Sequence, residues 1–376
     1  MIPNCIPTIS GNELKYLTEA VNTGWLSSVG PYVDRFESDF AEYHGVSSAT
    51  AVSSGTAAIH LGLKVLGVQP GDLVLCPTLT FVGTTNPIKY CGADPVFLDV
   101  EENTLNIDPK CLDNFLSTAA VSSEGSVYHS SSGRRIAALM IVHLYGNPAE
   151  MNELMDIARK YKLPVIEDAA ESLGACYEGK LVGTIGDIGC FSFNGNKVIT
   201  TGGGGMLIAS NPERAKLAKH LSTQAKSDSF EFIHDQIGYN YRLSNLCAAV
   251  GVAQMEKLDE FIARKRHHAK TYVDALTTSR NLSIVQDFDD RNGTYWMILA
   301  KMSESNDLIK RLKAWARNGV GVRPIWYPLH KLPMYRQELF YGNGQAERLY
   351  NSVFCLPSSV GLTDDEIKQV VDAIDC

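Results

Sequence analysis

The sequence predicts an α/β fold: a mostly parallel sheet with helices on both faces, followed by a smaller α+β unit. Three observations carry this reading. Short apolar runs of strand character alternate with runs of helical period as far as Leu221. Pro-Val-Ile-Glu at 164–167 has the composition of a strand buried inside a parallel sheet. Beyond Ser244 a long helical pattern leads into shorter, mixed elements.

The elements follow in order. Ser10 and Glu13 have capping-box spacing and open a helix to about residue 22. Strands are expected at 73–76, 95–98, 136–144, 165–167, 188–193 and 205–209. Helices are expected between them at 56–66, 81–90, 149–161 and 212–221. In the first of these helices Ile59, Leu63 and Leu66 share one face. Residues 117–135 are serine-rich and aperiodic, which reads as a surface loop. The helical pattern from Ser244 runs to about residue 277 with a break near 257–259, long enough to bridge two domains. A strand at 294–300, a helix at 307–318 and a strand at 320–323 follow. Thr363 and Glu366 cap a last helix. The boundary is placed near residue 255, giving a large domain of residues 1–255 and a small one of residues 256–376.

Composition narrows the function classes. The chain of 376 residues is 45% apolar and 20% charged, with net charge −8 and no block of lysine or arginine. That argues against a nucleic-acid or polybasic membrane contact. Nine cysteines lie singly, with no metal-ligand spacing, so no metal is expected and the thiols read as free in a reducing compartment. With no signal-peptide pattern and no membrane-length apolar run, the expected location is cytoplasmic.

The chemistry is concentrated in two segments. In Gly-Cys-Phe-Ser-Phe-Asn-Gly-Asn-Lys-Val-Ile-Thr-Thr-Gly-Gly-Gly-Gly at 189–205, Lys197 is the one charged residue, flanked by Phe191, Phe193, Val198 and Ile199. A lone lysine is more often a surface charge, but a lysine sheltered from water favours the free amine that attacks a carbonyl. In Val-Ile-Glu-Asp-Ala-Ala-Glu-Ser at 165–172, Asp168 ends a strand, where α/β folds place ligands. A lysine for an imine and an aspartate for a pyridinium nitrogen are the pair that pyridoxal 5′-phosphate requires.

Lesser features agree. Ser53-Ser54-Gly55-Thr56 opens a helix whose free N–H groups suit a phosphate, although an ordinary serine cap explains the same residues. Ser192 is able to add a hydroxyl. Phe81 can stack on a flat ring, and the small Ala169 and Ala170 let a ring lie against the backbone. Gly202–Gly205 precedes a strand and has neither a G-x-G-x-x-G pattern nor a Walker lysine, so it reads as turning backbone rather than a nucleotide loop.

Together with Gly-Trp-Leu-Ser-Ser-Val-Gly-Pro-Tyr-Val at 24–33, Val-His-Leu-Tyr-Gly at 142–146, Gly-Tyr-Asn-Tyr-Arg-Leu-Ser at 238–244 and Val-Arg-Pro-Ile-Trp-Tyr-Pro-Leu-His at 322–330, these segments resemble the DegT/DnrJ/EryC1/StrS sugar aminotransferases. The resemblance spans nearly the whole chain. It implies a fold type I pyridoxal-phosphate enzyme with Lys197 as the Schiff-base lysine and Asp168 on the pyridine nitrogen. Phe81 and Ala170 would flank the ring, and Gly55, Thr56 and Ser192 would hold the phosphate. Asn240 matches a residue that reaches the neighbouring subunit's phosphate, implying a homodimer with shared sites. Tyr327 and His330 match positions near the sugar nucleotide. Many relatives carry an acid where this chain has Gly203. The Asn-Gly-Asn-Lys variant resembles the branch that aminates UDP-4-keto-6-deoxy-N-acetylglucosamine-type sugars, with glutamate as amino donor. Lys197 argues against the related sugar dehydratases, which carry histidine there.

Overall fold

The structure, a computed structural model, describes residues 1–285, 291–303 and 307–375. Its main sheet is built from β1 (Ala49–Val52), β2 (Leu73–Pro77), β3 (Asp94–Leu98), β4 (Ala120–Ser123), β5 (Ser126–His129), β6 (Arg135–Val142), β7 (Val165–Asp168), then, after the short β8 (Cys176–Tyr177) and β9 (Lys180–Leu181), β10 (Ile188–Ser192) and β11 (Gly205–Ala209). The path runs β1-β11-β10-β7-β6-β2-β3 and ends on a short strand, Leu339–Tyr341. The strands from β10 to that edge are parallel; β11 alone on the path runs against its neighbours.

Helices cover both faces. On one lie α1 (Glu13–Asn22) and α2 (Pro31–His44); on the other lie α3 (Gly55–Val65) and α4 (Val82–Tyr90). Next come α5 (Pro109–Ala119) and α6 (Met151–Tyr161), which join the first face, and α7 (Pro212–Ser222), which joins the second. The period of two in a strand divides the cores: Leu73 and Leu75 enter one, Val74 and Cys76 the other. α3 lies close to the sheet because Gly62 has no side chain; a Cβ there would stand 2.8 Å from Ile166 Cδ1.

The helical pattern from Ser244 forms α8 (Asn245–Met255) and α9 (Leu258–Leu276), separated at 256–257. α9 then packs by Tyr272 and Leu276 into a third core. That core lies over a four-stranded antiparallel sheet of Leu282–Ile284, Ile298–Met302, Val353–Leu356 and Arg323–Pro324. The last helix, Asp364–Ile374, has the Thr363–Glu366 capping box.

Several sequence expectations need correction. Glu13 caps nothing: Asn12 precedes α1, and the buried Glu13 carboxylate accepts from Gly11 N at 2.8 Å and Gln254 Nε2 at 2.6 Å, tying α1 to α8. Segment 117–135 holds the end of α5 and then a β-hairpin, β4 and β5, whose second strand pairs with the start of β6 through Val127 and Tyr128. Polar serines hid a ladder held by backbone bonds. The strand expected at 294–300 starts at Ile298, and that at 320–323 shrinks to Arg323–Pro324. α2 was not anticipated; Pro31 at its first position and Gly45 in left-handed conformation after it are its start and stop signals.

Candidate active site

Four chain segments converge at the C-terminal edge of the parallel strands. Asp168 closes β7, paired in register with Val142 on one side and Cys190 on the other. The turn after β10 carries Ser192 and Lys197. The turn after β1 leads into α3, and Phe81 precedes α4. Between them is a cleft of about 420 Å³, lined by Gly55, Thr56, Phe81, Asp168, Ala170, Ser192 and Lys197, among others.

Each side chain is held by its own local chemistry. Asp168 is buried; its Oδ2 accepts from Thr84 Oγ1 at 2.7 Å and its Oδ1 from Ala170 N at 3.1 Å. Thr84 spends its one hydroxyl hydrogen on the carboxylate, so Thr80, 2.7 Å away, donates to Thr84. Burial pushes the Asp168 carboxyl above its ordinary range, and the Thr84 and Ala170 bonds pull it back. Glu167, one residue earlier, is committed to structure. It takes the N–H groups of Gly183, Ile185 and Gly186 and the ring of His143. His143 Nδ1 accepts from Ala149 N, so Nε2 carries the hydrogen donated to Glu167.

At the other wall, Ser54 caps α3 through Ala57 N at 3.0 Å. Gly55 leaves room for Ser192, since a Cβ there would meet Ser192 Cβ at 2.8 Å. A Cβ on Gly205 would meet the Ser54 carbonyl at 2.5 Å. The lysine turn closes with Lys197 N donating to Asn194 O at 3.0 Å. Lys197 Nζ lies 3.5 Å from Glu171 Oε1 and 3.7 Å from the centre of the Trp296 ring. Trp296 Nε1 in turn donates to Asn196 O at 2.5 Å.

Of the residues to which the family resemblance gave a role, three lie outside the cleft lining. Asn240 is exposed, next to Tyr241, whose carbonyl accepts Ser53 N at 2.7 Å. Tyr327 is 46% exposed and packs edge-on against Tyr350. His330 has both ring nitrogens engaged, by Thr78 at 2.6 Å and Glu347 at 3.1 Å, and stacks on Phe340. Sequence reasoning missed Thr84, Glu171, Trp296 and Trp326, all of which line the cleft. Glu171 was within reach, three residues past Asp168. Trp326 lay within reach, inside the 322–330 segment, whereas Trp296 carries no local signal, because its place is set by chain packing from far away in sequence.

The donor set fits pyridoxal 5′-phosphate. An amine and a buried carboxylate face one cleft. The capped start of α3 leaves the Gly55 and Thr56 N–H groups free for a phosphate, and the glycines around it keep the cradle open. Comparisons with known proteins agree. The profile of the DegT/DnrJ/EryC1/StrS aminotransferase family matches residues 7–375. EpsN of Bacillus subtilis (strain 168) is 40% identical over 375 residues, covering 98% of this chain and 93% of EpsN. The GDP-perosamine synthase of Escherichia coli O157:H7 is 37% identical over 375 residues, covering 99% of this chain and 97% of the synthase. The aminotransferase TlmJ from Streptoalloteichus hindustanus shares the fold with a TM-score of 0.89 at 30% identity, over 100% of this chain and 98% of TlmJ. This chain therefore belongs to the DegT/DnrJ/EryC1/StrS aminotransferase family and is a pyridoxal-phosphate-dependent aminotransferase.

Proposed function

We propose that the enzyme moves an amino group from glutamate to the C4 ketone of a UDP-linked 4-keto-6-deoxy-2-acetamido sugar. The observation that carries this sugar assignment is Gly203. It lines the cleft, and a Cβ built on it meets nothing within 4 Å. The wall there is open, with room for a bulky substituent such as an acetamido group. A second reading, a GDP-linked keto sugar, is favoured by the similarity to GDP-perosamine synthase.

Pyridoxal 5′-phosphate, when bound, supplies the aldehyde that carries the amino group and the ring that takes up the carbanion's electrons. The residues' own tasks follow from position. Asp168 keeps a proton on the pyridine nitrogen. Lys197 Nζ moves a proton between the donor's Cα and the cofactor's C4′. Gly55, Thr56 and Ser192 bind the phosphate, while Phe81 and Ala170 hold the ring flat. Trp326, with its ring centre 4.9 Å from that of Phe81, backs it. Asn240, exposed and outside its own cleft, reaches the phosphate of a second copy, making a homodimer with shared sites. Residues 1–255 form the cofactor domain and 256–376 the small domain, except that Leu339–Tyr341 returns to the edge of the main sheet beside β3. Tyr327 and His330 stand on the sugar-nucleotide side.

The test is mass spectrometry of products from nucleotide-linked 4-keto sugars incubated with enzyme, glutamate and cofactor. The reading expects a 4-amino product and 2-oxoglutarate, with the UDP-linked acetamido sugar preferred. Equal or greater efficiency with a GDP- or dTDP-linked sugar lacking the acetamido group rejects the sugar assignment.

A further inference from the structure

Among the described residues that line the cleft, two are acids and one is a base: Asp168, Glu171 and Lys197. The proposed chemistry gives Asp168 to the ring nitrogen and leaves Glu171 without a task. Yet Glu171 is as buried as Asp168, at 5% exposed, and three segments distant in sequence converge on it. Oε2 accepts the Tyr145 N–H at 2.8 Å, and Oε1 accepts from Trp326 Nε1 at 3.3 Å. The Tyr145 ring stacks between Trp296 and Trp326, with ring centres 6.0 and 5.9 Å away, and its hydroxyl accepts Trp326 N at 2.7 Å. Tyr145 holds a left-handed backbone, φ 57°, to present its N–H to the carboxylate. What remains open is the side of Oε1 that faces Lys197 Nζ, 3.5 Å away. The Trp296 ring on Nζ adds cationic stabilisation but no proton acceptor.

We propose that Glu171 is the proton partner of Lys197. The inference rests on the aminotransferase reading, not on the choice of sugar. Lys197 leaves the cofactor as a free amine, and the proton that needs a home is the one the donor's ammonium gives up: where Lys197 picks it up, Lys197–NH3⁺ with Glu171–COO⁻ becomes Lys197–NH2 with Glu171–COOH. One proton crosses from Nζ to Oε1, and no bond to carbon changes. The free amine then takes the donor's Cα proton, and when Lys197 passes that proton on, the pair is ready for the next turnover. An acceptor 3.5 Å from Nζ lets that proton move inside the cleft without passing through solvent. The other titratable groups packed on Glu171 do not compete. Burial pushes the Tyr145 phenol and the Cys355 thiol far up, so both stay protonated. Burial also raises Glu171, and Asp168 adds to this; the Lys197 charge opposes both. Glu171 is thereby suited to hold a proton when Lys197 is neutral.

The experiment uses holoenzyme carrying Glu171→Gln or Glu171→Asp. The first readout is the pH titration of the visible absorbance that Lys197 and the cofactor form together, which needs no substrate. A neighbouring carboxylate favours the protonated chromophore, so Glu171→Gln should lower its midpoint by about one pH unit or more, and Glu171→Asp by less. The second is the single-turnover reaction with glutamate alone, expected to slow about 100-fold in Glu171→Gln and to recover in part in Glu171→Asp. An unchanged midpoint in Glu171→Gln overturns the proposal, whether or not cofactor content or melting temperature falls. So does an unchanged glutamate rate. Neither readout uses a sugar, so failure of the sugar assignment leaves the test intact.

Discussion

Thr84 Oγ1 donates to Asp168 Oδ2 at 2.7 Å, joining the first turn of α4 to the end of β7 across 84 residues of sequence. Both groups are buried, and Thr80 extends the chain of donors. The bond holds the carboxylate ionised against burial. Thr84→Val keeps the shape and removes the donor. The Asp168 pKa then rises further, so the acid limb of the activity profile moves to higher pH. Turnover at neutral pH should fall roughly 10-fold, more at pH 6 than at pH 8. Parallel profiles for variant and wild type would refute this.

Burial of Asp168 also sets a pH dependence for the cofactor-free protein. Its folded-state pKa is raised above the unfolded value. Its contribution to stability is therefore complete below the unfolded pKa and is lost as pH rises through the folded one. A cationic ring nitrogen reverses the preference by pairing with the carboxylate. The melting-temperature gain on adding cofactor should accordingly be larger at pH 8 than at pH 5, and Asp168→Asn should flatten that difference while cutting turnover at least about 100-fold. The same gain at both pH values in wild type would count against it.

Lys197 is assigned the covalent link. Borohydride reduction of holoenzyme should fix cofactor on the peptide carrying Lys197, and Lys197→Ala should bind cofactor without turnover. Peptide mapping that finds the label on another lysine ends the assignment.

The four glycines after the lysine are not equivalent. Gly202 has φ +80°, a Cβ at Gly204 would meet Thr201 Oγ1 at 2.4 Å, and one at Gly205 would meet Ser54. Gly203 alone is free of such demands. Gly203→Glu should fold with a stability change within about 0.5 kcal/mol, react normally with glutamate, and raise the KM for the UDP-linked acetamido sugar at least about 10-fold. Gly205→Ala should instead disturb the phosphate cradle and lower cofactor affinity. An unchanged sugar KM in Gly203→Glu would remove the open wall as the basis of sugar choice.

Asn240 belongs to the shared-site reading. Coexpressed Lys197→Ala and Asn240→Ala chains should form mixed dimers with one intact site, recovering up to half the wild-type activity per mixed dimer, while either variant alone stays impaired. Light scattering that shows a fully active monomer would defeat it.

The sequence by itself determined the alternation of strands and helices, the strand-end place of Asp168, the serine cap of α3 and the sheltered Lys197. These are local: period, capping and apolar flanks act within a few residues. It also suggested Phe81, Gly55, Thr56 and Ser192, which the fold brings to one cleft. It misread 117–135, because a hairpin of serines is held by backbone bonds that side-chain pattern does not report. Tertiary structure alone decided that Glu171 would face Lys197, that Trp296 would lie on Nζ, and that His330 would be fastened to Thr78 and Glu347. Each of these pairs joins residues 17 to 252 positions apart. Such contacts depend on where whole strands and loops are set by core packing, a property of the folded chain rather than of any stretch of it.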